Sequence, residues 1–351
     1  MQQRISWLLT EPNRPLEQQH DELASPGPGE VIIQVAGCGV CHTDLGFYHG
    51  DVRTRAPLPL VLGHEISGTV VETGEGTEEW ADKAVLVAAV IPCGACTVCR
   101  IGRGNTCVKQ IMPGNDADGG FATHVLVQAT GLTEIGAMPD GYQLADFSVI
   151  ADAVTTPLQA IRRARVAEDD FVVVIGAGGV GTYSVQIAAA AGAKVVAVDI
   201  NPERLTPLES HGATATVDAS DLDLRGTRDA VRAIAREAGV SRAGWKIFEC
   251  SGTTAGQESA WSLLGPSATL AIVGFTPDAA SVRVSNLMAF DATAFGSWGC
   301  PPELYPEAVE LVRSGQVDVR PFVRLMPLNR IQEAFEITHA ASQPQRIVLT
   351  P

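Results

Sequence analysis

Short apolar runs separated by turn residues fill the first third of the chain. Val31 to Ala36, Gly68 to Glu72, Ala84 to Val90 and His124 to Val127 are valine-rich segments of strand length, and clusters such as Ser25-Pro26-Gly27-Pro28-Gly29 punctuate them. That spacing predicts a distorted, barrel-like β unit rather than a doubly wound sheet. Near residue 150 the texture changes. Phe171 to Ile175 is an unbroken apolar run, as expected of a parallel strand buried on both faces. A helix is predicted after the glycines that follow it, running through Ala188 to Ala191, and Lys194 to Asp199 reads as the next strand. Asn201 and Pro202 form an N-cap and first-turn pair for a further helix. Trp245 to Glu249 and Thr269 to Val273 continue the alternation, which predicts a parallel sheet with helices on both faces. A helix over Glu303 to Ser314 and a last strand, Gln345 to Leu349, are expected to return the chain to its first unit.

The 351 residues suggest two domains, and a hydrophobic content of 46% is enough for two cores. The formal net charge of −15 argues against a nucleic-acid partner or a membrane surface held by charge. No apolar run approaches the roughly 20 residues of a spanning helix, and Met1 to Thr10 lacks the basic start of a signal peptide. A cytoplasmic protein is expected. In that setting eight cysteines, four of them clustered, read as metal ligands rather than disulfides.

The clustered four, Cys93, Cys96, Cys99 and Cys107, are spaced C-x2-C-x2-C-x7-C. Four thiolates that close in sequence can converge on one tetrahedral zinc, and a site closed by four thiolates is structural. Outside the cluster, Cys41 and His64 are the most suggestive ligands. A catalytic zinc keeps three protein ligands and one open position, and composition does not choose the third. Downstream, Gly176-Ala177-Gly178-Gly179-Val180-Gly181 follows a strand and opens a helix, the context that makes a GxGxxG informative. Gly176 permits the tight turn, Gly178 the approach of a pyrophosphate to the backbone, and Gly181 close helix–strand packing. Asp199 ends the next strand. A carboxylate there accepts from the adenosine ribose and repels a 2′-phosphate, favouring NAD over NADP; helix capping is its alternative role. Arg204, five residues on, is the kind of side chain that accommodates a phosphate.

Taken in order, Gly39-Val40-Cys41-His42-Thr43-Asp44, Gly63-His64-Glu65, the four-cysteine lobe and the nucleotide fingerprint resemble the zinc-dependent medium-chain alcohol dehydrogenases along essentially the whole chain. The resemblance implies an α/β protein: a GroES-like β-rich catalytic domain over 1–152 with the structural zinc lobe at about 93–107, a Rossmann doubly wound parallel-sheet domain over 153–294, a return to the catalytic domain over 295–351, and an active-site cleft between the two. It implies two Zn2+ per chain, NAD, a small-molecule alcohol or ketone, and a homodimer or homotetramer. Carried over by position, Cys41 and His64 bind the catalytic zinc, with Asp152 as third ligand where many members have cysteine. Glu65 is an alternate ligand or a neighbouring carboxylate. Thr43 hydrogen-bonds the alcohol. His42 and Arg346 approach the cofactor pyrophosphate, and Gly179, Val180, Arg204 and Val273 complete the cofactor-binding set with the three fingerprint glycines and Asp199.

One position departs from the pattern: the histidine that relays the proton in many members is Gly46 here, leaving His49 or water for that task. Cys38, Cys250 and Cys300 read as core thiols, and Arg162, Arg163 and Arg165 as a solvated helix face. A narrower set, Met112 to Asn115, Ala151 to Pro157, Gly244 to Glu249, Thr254 to Glu258 and Leu287 to Asp291, resembles the 6-hydroxycyclohex-1-ene-1-carbonyl-CoA dehydrogenases. That branch implies a cyclic secondary alcohol on a CoA thioester. The alternatives are a general alcohol or polyol dehydrogenase, enoyl-thioester hydratase or reductase chemistry, and a non-catalytic nucleotide-binding relative.

Overall fold

The computed structural model of the protein describes residues 2–340 and 343–351. The chain forms two compact units: Met1–Thr155 with Gly299–Arg313 and Val319–Pro351, and Thr156–Trp298 with Ser314–Asp318.

The first unit opens with strands β1 (Gln2–Leu9) and β2 (Glu17–Leu23), antiparallel partners that share a small sheet with β4 (Leu60–Val61). Neither β1 nor β2 was among the strands expected from hydrophobic patterning. The reason is visible in β2: its residues Glu17-Gln18-Gln19-His20 are all exposed, so it is held by backbone pairing rather than by an apolar face. Strand β3 (Glu30–Gly39) pairs with β5 (Glu65–Thr73) and β7 (His124–Gln128), and β5 continues through β6 (Ala84–Val87) to β8 (Leu132–Glu134). The registers of β3 on β5 slip between Ile32 and Ile33 and between Val35 and Gly37, irregularities that bend a sheet toward closure.

In the second unit all six strands are parallel: β9 (Phe171–Ile175), β10 (Lys194–Asp199), β11 (Ala213–Asp218), β12 (Lys246–Glu249), β13 (Thr269–Ile272) and β14 (Thr293–Gly296), in the order β11-β10-β9-β12-β13-β14. The order reverses direction at β9, which places the strand leading into the glycines at the centre of the sheet. Every residue of β9 is buried, and Phe171, Val173 and Ile175 pack with Val196, Val198, Ile247 and Leu270 in one core. Helix Pro202–Leu205 starts as the sequence indicates, with Asn201 Oδ1 accepting from Glu203 N at 2.9 Å. Residues Ser314–Asp318 belong to this unit because Asp318 exchanges two hydrogen bonds with the Gln186 side chain, at 2.8 and 3.1 Å. They thus interrupt the return segment expected over 295–351.

That segment closes the first unit. Helix Tyr305–Arg313 is followed by β15 (Val323–Pro327) and β16 (Arg346–Thr350), and β16 lies antiparallel to β3. Its Leu349 is the register partner of Cys38, three residues before Cys41.

Close packing decides the glycine at the start of helix Gly181–Ala190. A Cβ on Gly181 would fall 1.7 Å from the Gly176 carbonyl oxygen, whereas one on Gly296 would meet nothing. Gly181→Ala is therefore expected to destabilise the second unit by about 2–3 kcal/mol, with Gly296→Ala near neutral. Urea denaturation midpoints of the two variants check this.

Candidate active site

Four potential ligands come together in the first unit. Cys41, His64, Glu65 and Asp152 present donor atoms all within 4.8 Å of one another. Cys41 is the N-cap of helix His42–His49, just past β3; His64 and Glu65 enter β5; Asp152 ends the short helical run Leu144–Ala151. His64 Nε2 lies 3.6 Å, and Cys41 Sγ 4.0 Å, from Asp152 Oδ2. Zinc bonds of about 2.0–2.3 Å in a tetrahedron put neighbouring ligand atoms roughly 3.3–3.8 Å apart, so this donor set fits a zinc ion after a small contraction. The Cys41 thiol also reaches Thr43 Oγ1 at 3.7 Å.

Asp44 holds the set in place. Fully buried, it accepts from Cys41 N at 2.9 Å through Oδ2 and from Gly63 N at 3.2 Å through Oδ1, and Oδ1 stands 3.4 Å from His64 Nδ1. A carboxylate behind a ligand histidine fixes the ring and raises its basicity. Burial disfavours a charged imidazole, but Asp44 and Asp152 outweigh it and hold the His64 pKa well above its ordinary value. The pocket electrostatics favour a cation: a proton in one case, a metal in the other.

Glu65 is occupied differently. It is fully buried, and Arg346 donates to both its oxygens, Nε at 2.7 Å and Nη2 at 2.5 Å. Burial pulls the Glu65 carboxyl up to about 7 against the pull of Arg346. Gly39, its register partner, makes the room: a Cβ there would fall 2.0 Å from Glu65 Oε2. Arg346, expected at a pyrophosphate, is 9% exposed and uses Nε and Nη2 in this pair. His42 is exposed beside Cys41.

The four-cysteine lobe forms a second donor group. Cys96 Sγ lies 3.4 Å from Cys99 Sγ and 3.7 Å from Cys107 Sγ, which is 3.5 Å from Cys93 Sγ. These are tetrahedral spacings for zinc and sulfur. The amide of Cys99 holds the Cys96 thiol below its ordinary range, while burial and the Cys96 thiol push Cys99 up to about 12. Cys38 joins neither group; it is buried beneath Gly63, and burial pushes its thiol well up. His49 ends its helix with Nδ1 3.0 Å from Asn13 Oδ1 and its ring 4.5 Å from that of His339. With a rise of about 1.5 Å per residue, that is roughly 10 Å along the helix from His42.

In the second unit, the glycine turn stands at the carboxyl end of the central strand. Gly176 has φ +90°, and a Cβ on it would fall 2.6 Å from the Ser251 backbone. Asp199 accepts from Ala177 N at 2.6 Å and from Asn201 N at 2.8 Å, so it ties β10 to the turn. Arg204 Nη1 lies 3.9 Å from Asp199 Oδ1, and the same atom would be 3.9 Å from a Cβ on Gly178. Val273 N donates to Glu249 O at 2.9 Å. Two residues to which the sequence reading assigned no role matter here. Glu249, buried, accepts from Ser251 N and Gly252 N and pins the turn against Gly176. Asp44 was legible in principle: an acid at the third position of a helix after Cys41 is a capping arrangement, and its backbone bond to Cys41 is that cap.

Residues 27–138 match the alcohol dehydrogenase GroES-like domain, and residues 179–314 match the zinc-binding dehydrogenase domain. The S-(hydroxymethyl)glutathione dehydrogenase of Photobacterium damsela subsp. piscicida is 30% identical over 96% of this chain and 97% of its own length. The chain belongs to the zinc-dependent medium-chain alcohol dehydrogenase family. An alcohol dehydrogenase of Geobacillus stearothermophilus is 29% identical over 97% of each chain. Among solved structures, acetophenone reductase from Geotrichum candidum in complex with NAD is 26% identical (TM-score 0.85, 99% of this chain and 97% of that one). A zinc-binding dehydrogenase from Sinorhizobium meliloti bound to NADP is 25% identical (TM-score 0.87, 100% of each). This dehydrogenase thus combines a GroES-like unit with a Rossmann unit and is a zinc-containing alcohol dehydrogenase. Among the described residues no helix is long and apolar enough to cross a membrane.

Metal analysis of the wild type is expected to give about two zinc ions per chain and of Cys41→Ser about one. Because a proton competes for His64, zinc content should also fall as the pH is lowered, and at the four-thiolate site independently of Cys41. Zinc counted after dialysis across a pH series tests both statements.

Proposed function

We propose that this dehydrogenase oxidises a secondary alcohol reversibly to a ketone, with NAD as hydride acceptor. The observation that carries the reading is the convergence of Cys41, His64 and Asp152 with Thr43 beside the thiol. Those three residues would hold zinc, with Glu65 remaining on Arg346. When bound, zinc would supply a Lewis acid for the alcohol oxygen and the nicotinamide would accept the hydride. Thr43 Oγ1 takes the alcohol proton in a hydrogen bond. Gly46 offers no imidazole, so the proton leaves through His49, whose Nδ1 is held by Asn13, or through water. His42 and the amides of Gly178, Gly179 and Val180 serve the pyrophosphate, with Arg204 and Val273 completing the cofactor contacts. Asp199 supports NAD, since its carboxylate would repel a 2′-phosphate beside the turn.

For the substrate, the finer reading is a cyclic secondary alcohol on a CoA thioester, as in 6-hydroxycyclohex-1-ene-1-carbonyl-CoA. A free small alcohol is the second reading, favoured by the relative named simply alcohol dehydrogenase. Cytoplasmic placement and a homodimer or homotetramer belong to the same proposal.

A screen of alcohols, with free cyclic alcohols set against their CoA thioesters and NADH absorbance followed, is expected to show turnover that Cys41→Ser abolishes. A Cys41→Ser enzyme that keeps wild-type turnover would refute the ligand assignment, and a preference for free alcohols would refute the CoA handle. Asp199→Gly should raise kcat/KM with NADP about ten-fold, the effect of removing ~1.4 kcal/mol of repulsion; the ratio of rates with the two cofactors measures it.

A further inference from the structure

Asp152 is the proposed ligand that follows a short helical run. It caps a 3-10 run with φ −138° and ψ −55°, outside any helix or strand. Its orientation is therefore set by the peptide that precedes it, and the carbonyl of that peptide, Ala151 O, is gripped from two sides. Thr155 Oγ1 donates to it at 3.1 Å, and so does the hydroxyl of Tyr305 at 2.5 Å. Tyr305 opens the helix Tyr305–Arg313 and is completely buried. The same hydroxyl accepts from Ala89 N at 3.0 Å, just beyond β6 and four residues before the first cysteine of the lobe.

We infer that Tyr305 is a positioning residue for Asp152. A phenol is suited to this place because it offers one donor and one acceptor at the end of a rigid ring, matching one carbonyl and one amide. Phenylalanine would fill the same volume and satisfy neither. Through the Ala151 carbonyl the hydroxyl sets the plane of the Ala151–Asp152 peptide, and with it the direction in which the Asp152 carboxylate leaves the backbone toward His64 and Cys41. The inference rests on the reading of Cys41, His64 and Asp152 as zinc ligands, and extends it to a residue more than 150 positions away in sequence that touches none of the reacting atoms.

The test uses the zinc-loaded full chain and Tyr305→Phe, with zinc release to a chelator followed against time and the visible spectrum recorded after cobalt(II) exchange. Loss of a supporting hydrogen bond around a metal ligand is expected to speed release of one metal per chain by about ten-fold and to shift the cobalt bands, while the four-thiolate metal is released as in the wild type. A folded Tyr305→Phe with wild-type release and an unchanged cobalt spectrum overturns the inference. Should that variant not fold, Thr155→Val, which removes the other donor to the same carbonyl together with a 3.4 Å contact to Asp152 O, is read in the same two ways: faster release supports control of Asp152 through the backbone carbonyls of Ala151 and Asp152, and unchanged release refutes it. If the wild type binds only the four-thiolate metal, the zinc reading itself fails. If it binds two, and Cys41→Ser loses one while Tyr305→Phe does not, only the role of Tyr305 falls.

Discussion

Three groups converge on the buried carboxylate of Asp44: the amide of Cys41, the amide of Gly63 and the imidazole of His64. An ionised carboxylate withdrawn from water costs several kcal/mol unless its lone pairs are used. Here they are used by the amides of two chain segments that must be in register, with the His64 ring 3.4 Å away. Cys41 lies beyond β3 and His64 before β5, so a single charge fixes both the thiol and the ring relative to the sheet.

The charge balance around the anchor explains why the site suits a metal ion. Asp44, Glu65 and Asp152 contribute three carboxylates, and Arg346 contributes one guanidinium, bound to Glu65. With one guanidinium among three carboxylates, the donor set is rich in groups that accept a cation. Glu65 plays two parts in this balance. It neutralises Arg346 of β16, which joins the last strand of the chain to β5, and it does so in space left by the missing side chain of Gly39. The four-thiolate lobe works on shorter-range physics, since amide hydrogen bonds and mutual closeness of the thiols are enough to define it.

In the Rossmann unit the constraint is steric. Gly176 and Gly181 stand where a Cβ would strike backbone, Gly176 against Ser251 and Gly181 against Gly176 itself. Two carboxylates then fasten the strand ends around that turn: Asp199 from β10 through Ala177 N, and Glu249 from β12 through Ser251 and Gly252. Asp199 is thus a structural tie between β10 and the turn, its two oxygens each accepting one backbone amide.

Legibility followed the range of the interactions. The four cysteines of the lobe, the glycine fingerprint and the apolar runs at β9 and β10 are local patterns, and local patterns survive in a linear text. Strand β2 escaped because an exposed edge strand held by backbone bonds needs no apolar alternation, and β1 because its buried residues Trp7, Leu8 and Leu9 are consecutive rather than alternating. Asp152 entered the site through family resemblance, since nothing in Ala151 to Pro157 marks one aspartate as a ligand. Asp44 and Glu249 carry local bonds that could have been read, whereas the bond of Asp44 to Gly63 and both bonds of Tyr305 join distant segments and become visible only where the partners meet.

By itself, then, the amino-acid order determined that there would be a thiolate lobe, a nucleotide turn and two kinds of sheet, since each follows from neighbours a few residues apart. Only the tertiary structure decided which carboxylate faces His64, that Arg346 pairs with Glu65, and that a tyrosine of the returning segment holds the peptide of Asp152. Those choices depend on groups brought together across scores of residues, where burial makes every unpaired hydrogen bond or charge expensive and so leaves few arrangements open.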